Sequence, residues 1–247
     1  MKIYIKFAIA ILSILCFHSC KDSDPGPCPV IPKEPITLTI DQLYDGQELE
    51  FHKIYQSTQS NDFWFTNSKF YLSNIVAVKA DGSKKLIADV AFINFVPESK
   101  SVTIQGDIEE GSYTAIEFDL GVRQDLNAQD PATYNSDHPL SISKAMYWTW
   151  STQYIFSKTD GYNIVGTDTT TFFIHTGTED LYRPGISVSR IFTVGTGGTD
   201  VSINFDLHTL LNQPDYTFDL VEDGQSHTLD NLPLAVHYMD NFTHAFN

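Results

Sequence analysis

Apolar and polar positions alternate in short runs along most of this chain. Ile36–Leu43 reads ITLTIDQL, and Tyr113–Leu120 reads YTAIEFDL. Alternation with a period of two places every second side chain on one face, which is the pattern of a half-buried strand. By the same reading, strands are expected at Leu49–Tyr55, Phe63–Val78, Leu86–Phe95 and Ser101–Ile104. The Phe63–Val78 run is interrupted at Thr66-Asn67-Ser68. Further strands are expected at Ala145–Phe156, Thr169–His175, Ser187–Val194, Val201–Asp206 and Leu234–Tyr238. Asp45-Gly46 and Asp81-Gly82 supply turns. A short helix is expected at Leu207–Asn212, and a long polar loop at Gln124–Ile142. A loop of that length in a compact domain is often functional. Many short strands, turn-rich gaps and no long amphipathic helix predict an all-β fold. The expected form is an antiparallel β-sandwich, a single domain with long loops.

The first 35 residues read differently. Lys2 and Lys6 form a basic start, Phe7–Phe17 is apolar, and FHSC ends the stretch at Cys20. The apolar core is short for a bilayer span and a polar run follows at once, so it reads as a secretory signal. FHSC resembles a loose bacterial lipobox, with Cys20 as the acylated residue, and KDSD after it resembles a surface-export signal. The expected organisation is a lipoprotein signal peptide over 1–19, a lipidated Cys20 and flexible tether over 20–35, and a β domain over 36–247. The protein would then sit at the outer membrane or cell surface, held to the membrane through a lipid anchor. Plain secretion is the alternative. Processing would leave Cys28 as the one free thiol, so no intramolecular disulfide is expected.

Acidic residues number 31 against 15 basic, for a formal net charge of -16. Such a chain lacks the basic face that nucleic acid requires. Docking on anionic lipid is disfavoured for the same reason. There is no phosphate-binding glycine loop, HExxH, nucleophile elbow or paired-cysteine knuckle. No enzymatic activity is expected.

Histidines carry the remaining chemistry. Beyond the signal they are His52, His138, His175, His208, His227, His237 and His244. Imidazole suits Cu(II), Zn and Ni. No two of these have close helical metal spacing, so a site in a β fold would gather ligands from separate strands. His175 in FFIH shares a strand face with Phe173, while Phe172 and Ile174 take the other. His237 would alternate with Met239 on a strand. Trp148 and Trp150 would share one face if their segment is extended; core packing, a carbohydrate-stacking platform and an oxidisable tryptophan near a metal all remain open.

Several blocks resemble one known family. They are DGQEL (45–49), KFYLSNIVAVKADG (69–82), IEEGSYTAIEFDLGVRQDLN (108–127), HPLSISKAMYWTWSTQYIFSKTDG (138–161) and FFIHTG (172–177). The chain resembles the MbnP-like copper-binding proteins, in their Bacteroidota lipoprotein branch, over roughly residues 36–247. The resemblance implies a cell-envelope protein that binds, stores or delivers copper without turnover. Some members use histidines together with a tryptophan oxidised to kynurenine by a di-haem peroxidase-like partner. Carried onto this chain, that implies His175 as a copper ligand and Trp148 or Trp150 as the modified or adjacent aromatic. His52, His208 and His244 are the further ligand candidates, and a monomer is expected. Two positions depart from the family pattern: Gln153 replaces a usual glycine, and Arg123 replaces an acid at the start of the long loop. The alternative is a non-catalytic adhesion or glycan-binding module that kept the scaffold without the metal. Its mark would be Trp148 or Trp64 exposed along a groove with no convergent histidines.

Overall fold

In β1 (Lys33–Tyr44), Ile36, Leu38, Ile40 and Tyr44 point inward while the positions between them are half-buried. The structure is a computed structural model that describes residues 31–247. The expected signal segment, Cys20, Cys28 and most of the tether lie outside the described residues.

The remaining strands follow in order. They are β2 (Gln47–Glu48), β3 (Tyr55–Gln56), β4 (Asp62–Val78), β5 (Lys84–Phe95), β6 (Ser101–Glu109) and β7 (Gly111–Leu120). After α1 (Gln124–Asn127) come β8 (Tyr147–Trp148), β9 (Gln153–Tyr154), β10 (Ser157–Val165), β11 (Asp168–Thr176), β12 (Arg183–Val194) and β13 (Thr199–Asp206). The chain ends with α2 (Leu207–Leu211), β14 (Gln225–His227) and α3 (Leu232–Phe242).

Two sheets form the sandwich. The smaller has β1 at its centre, paired with β13, β6 and β2. The larger runs β12-β7-β4-β10-β11-β14, with β5 and β3 also on β4. β4 is long enough to pair β10 along its first half and β7 along its second, with β5 on its other edge. Most pairs are antiparallel as expected, but β1–β13 and β11–β14 are parallel. Aromatic side chains fill the centre. Phe70, Phe205 and Phe242 lie within 5.0 Å of one another, ring centre to ring centre. Burying each such ring contributes about 1.5–3 kcal/mol.

Four segments differ from the sequence expectation. Of the expected strand Leu49–Tyr55, residues 49–54 form a loop between β2 and β3, pinned by Leu49, which is buried. β4 runs unbroken through Thr66-Asn67-Ser68, accommodated by a bulge against β10. Ala145–Phe156 is not one strand but a turn carrying the two-residue strands β8 and β9. Leu234–Tyr238 is helical: within α3, Leu234, Ala235, Tyr238, Met239 and Phe242 are buried at 3.6-residue spacing, and Pro233 sits in the first turn, where its missing N–H has no cost. α3 packs on α2 and on the inner side of β11. Its Tyr238 hydroxyl meets Thr159 Oγ1 at 2.6 Å, and Met239 Sδ accepts from Thr176.

Candidate metal centre

The outer face of the larger sheet carries two rows of mostly polar side chains, with Phe173 the apolar exception. One row pairs Asn67 with Asp160, Asp160 with Phe173, and Phe173 with Gln225. The next pairs Lys69 with Lys158, Lys158 with His175, and His175 with His227. Residues two apart on a strand share a face, so both rows look outward. Phe172 and Ile174 look into the core.

Gly161 makes this geometry possible. A Cβ there would lie 2.2 Å from the Trp64 carbonyl oxygen and 2.3 Å from the Phe172 ring. The bulge between Asp160 and Gly161 sits at this close approach. It sets Asp160 beside His175, with Nε2···Oδ1 at 2.5 Å. Asn67 Nδ2 donates to the other carboxylate oxygen at 2.9 Å. Burial acts to raise the Asp160 carboxyl. The bond and charge of His175, the Asn67 amide and the Lys158 charge together hold it below the usual carboxylate range. At Lys69 burial, helped by the Lys158 charge, lowers the ammonium from its ordinary value.

His227 is held by a turn that bonds to itself. Its backbone N–H donates to Asp230 Oδ1 at 2.6 Å, and its Nδ1 lies 3.3 Å from Asp230 Oδ2. Thr228, with φ at +72°, donates its hydroxyl to the His175 carbonyl at 3.0 Å. The two imidazole centres are 5.2 Å apart. Each ring therefore has one nitrogen on a carboxylate. Among the described residues, His175 Nδ1 and His227 Nε2 have no hydrogen-bond partner. A carboxylate on the far nitrogen of a ligating imidazole is the usual way such rings are oriented toward a metal.

Trp148 reaches this pair from the β8–β9 hairpin. Its ring centre is 6.5 Å from each imidazole, and the residue is 8% exposed. Trp150, in the turn, is 71% exposed and stands 5.7 Å from Trp148. The two tryptophans thus occupy different environments, because the segment is a turn and not an extended strand. The hairpin is tied down from both sides. Tyr154 N–H donates to Asn127 Oδ1, Ile155 N–H to the Met146 carbonyl, and Phe156 N–H to the Thr176 carbonyl. Gln153 adopts φ of +72°, which explains why glycine suits this position.

The other histidines lie elsewhere. His52 is exposed in the turn before β3, with φ at +64°. His208 sits in α2 with its ring edge on Tyr44 at 5.3 Å. His244 is exposed after α3. None of these three candidates joins His175. His237 stacks on Tyr216 at 4.1 Å, and His138 on Tyr134 at 4.0 Å. Met239 is buried in α3 on the opposite side of β11 from the imidazoles. Arg123 is occupied by Asp89, Asp125 and Asn74. His227 had been one of the seven histidines beyond the expected signal segment. Its only local signal is the aspartate three residues on; its pairing with β11 is long-range and parallel.

Two imidazoles suit a copper ion in chemistry, and their ring spacing is compatible with sharing one. A metal–nitrogen bond of about 2 Å allows two imidazoles on one ion to have centres up to roughly 6 Å apart. The observed 5.2 Å lies inside that span. The set is incomplete as a cage. Among the described residues, no group of three or more His, Cys, Asp and Glu side chains is arranged to hold a metal. Asp160 has both oxygens engaged.

Comparison with known proteins agrees with this picture at the level of fold. The sequence model of the MbnP family matches residues 33–228. Among solved structures, the chain is similar to MbnP from Methylosinus trichosporium, with a TM-score of 0.51 and 18% identity. That match covers 73% of this chain and 78% of the other. No curated protein matches the chain at a significant level.

Proposed function

The chain belongs to the MbnP family, a family of copper-binding proteins, and on that premise we propose that it binds copper through His175 and His227. The observation that carries the reading is the pair itself: two imidazoles 5.2 Å apart, each with its far nitrogen on a carboxylate. Asp160 and Asp230 orient the rings and fix which nitrogen carries the proton. This leaves His175 Nδ1 and His227 Nε2 as the donors. Copper held there would be available for storage or delivery.

Trp148 is the tryptophan positioned beside the pair, where its indole offers no lone pair to a metal and would supply a donor only after oxidation. It is enclosed and equidistant from both imidazoles, whereas Trp150 is open to solvent. If the chain follows its relatives, the di-haem peroxidase-like partner converts Trp148, not Trp150, to kynurenine. The N-terminal sequence supports a lipid-anchored protein of the outer membrane or cell surface that stores or hands on copper and performs no turnover. The glycan-binding alternative has less support: its mark was Trp148 or Trp64 exposed along a groove with no convergent histidines, whereas Trp148 is buried, Trp64 is half-buried against Tyr162, and His175 and His227 adjoin.

The test is copper stoichiometry and affinity of the purified protein and of its His175→Ala and His227→Ala variants. One tightly held copper per chain, weakened in both variants, supports the proposal. Equal binding by wild type and both variants would sink it.

A further inference from the structure

Lys69 and Lys158 are direct cross-strand partners, and Lys158 is in turn the partner of His175. Like charges placed opposite one another destabilise a sheet. Elsewhere, Lys53, Lys79, Lys84, Lys85 and Lys100 each pair with a glutamate. Among the described residues, Lys33, Lys69, Lys144 and Lys158 pair with no carboxylate, and of these Lys69 and Lys158 face each other across a strand pair. The chain has carboxylates in excess, with a net charge of -16, yet the carboxylate whose charge acts on Lys69 is Asp160. Both Asp160 oxygens already serve His175 and Asn67. Both lysines are half-buried, and burial, helped by the Lys158 charge, lowers the Lys69 ammonium, in keeping with a repulsion that water only partly screens. The two lysines therefore face each other beside carboxylates, Asp160 and Asp230, that are already engaged with His175, Asn67 and His227.

We infer that Lys69 and Lys158 form a binding site for a small oxyanion, seated beside His175. Each ammonium brings three N–H donors and no acceptor. One oxyanion between them accepts from both and relieves their repulsion. The anion site is a property of the metal-free protein. Only its use rests on the copper reading: an oxygen of the same anion is suited to complete a donor set in which the protein supplies two imidazoles. It also offsets the positive charge that a metal ion would add next to two lysines.

The experiment begins with metal-free protein. Bicarbonate, acetate and inorganic phosphate are each titrated at constant ionic strength, following the lysine side-chain resonances by NMR and the thermal midpoint. The same titrations are run on Lys69→Met and Lys158→Met, which keep the apolar stem, and on Lys69→Arg, which keeps the charge. We expect saturable binding of at least one anion to wild type, with a raised midpoint. Each methionine variant should bind at least tenfold more weakly and melt higher than wild type when no anion is present, while Lys69→Arg keeps binding. The three anion arms identify which oxyanion is preferred. No saturable binding by wild type, or equal binding by the methionine variants, overturns the inference and leaves a solvated lysine pair. His227→Ala separates this from the copper reading, because it should lose copper and retain the anion. A protein that binds the anion but no copper contradicts the metal proposal alone.

Discussion

Replacing Asp160 with Asn removes the charge that orients His175 while keeping the shape of the side chain. In the native protein one oxygen faces His175 Nε2 at 2.5 Å and the other accepts from Asn67 Nδ2 at 2.9 Å. An amide facing His175 through its oxygen would turn its NH2 toward the Asn67 donor, so one of the two contacts is lost unless Asn67 also flips. A hydrogen bond to a charged group contributes about 1.5–3 kcal/mol and the amide retains part of it, so the expected loss of stability is about 1–2 kcal/mol. With a urea slope of about 2.5 kcal/mol per molar, the midpoint should fall by about 0.4–0.8 M. The pH dependence has a definite sign. The Asp160 carboxyl is lowered in the folded protein. Its stabilisation is therefore complete above the unfolded carboxyl value of about 4 and is lost as pH falls through the folded value. The gap between wild type and Asp160→Asn should accordingly be full at neutral pH and close in acid. Copper affinity should fall about 10–100-fold, the usual consequence of removing a carboxylate behind a ligating histidine. Urea melts at several pH values and a competition titration for copper measure both effects. An unchanged midpoint at neutral pH together with unchanged copper affinity would refute the orienting role.

Three further outcomes are expected. Gly161→Ala forces a Cβ into the Trp64 carbonyl and the Phe172 ring; urea melts should show a loss of about 2–3 kcal/mol, and copper affinity should drop with the displaced Asp160. Gln153→Gly relieves a left-handed backbone at an exposed position and should raise stability by about 0.5–1 kcal/mol, read as a higher thermal midpoint. A combined His52→Ala, His208→Ala, His244→Ala protein should keep its tight copper, because none of the three lies with His175; loss of that copper would place the site elsewhere.

The sheets were legible because alternation reports directly which side chains share a face. The ITLTIDQL run of β1 forms a strand with this burial pattern throughout, and the YTAIEFDL run of β7 does so from Ile116 to Leu120, with the period broken after the buried Tyr113. Alternation failed where apolar residues are continuous. LPLAVHYM reads equally as strand or helix, and Pro233 in the first turn was the cue for α3. MYWTW reads as a strand, yet positive φ at Ala145 and Gln153 bends the chain into a turn and separates Trp148 from Trp150. The placement of Gln153 explains a departure from the family pattern that sequence alone could only record. At the candidate site, His175 stood out from its position at a strand end. His227 did not, since β14 is three residues long and meets β11 only through parallel pairing. Asp160 was also silent, because its contact with His175 arises from strand register and a bulge that depends on Gly161.

The most direct test of the central claim is X-ray absorption spectroscopy at the copper edge of the loaded protein, compared with His227→Ala. The predicted result is one copper with two imidazole nitrogens at about 2 Å, one of which is lost in the variant. A spectrum unchanged by the substitution would contradict the claim that His175 and His227 share one ion.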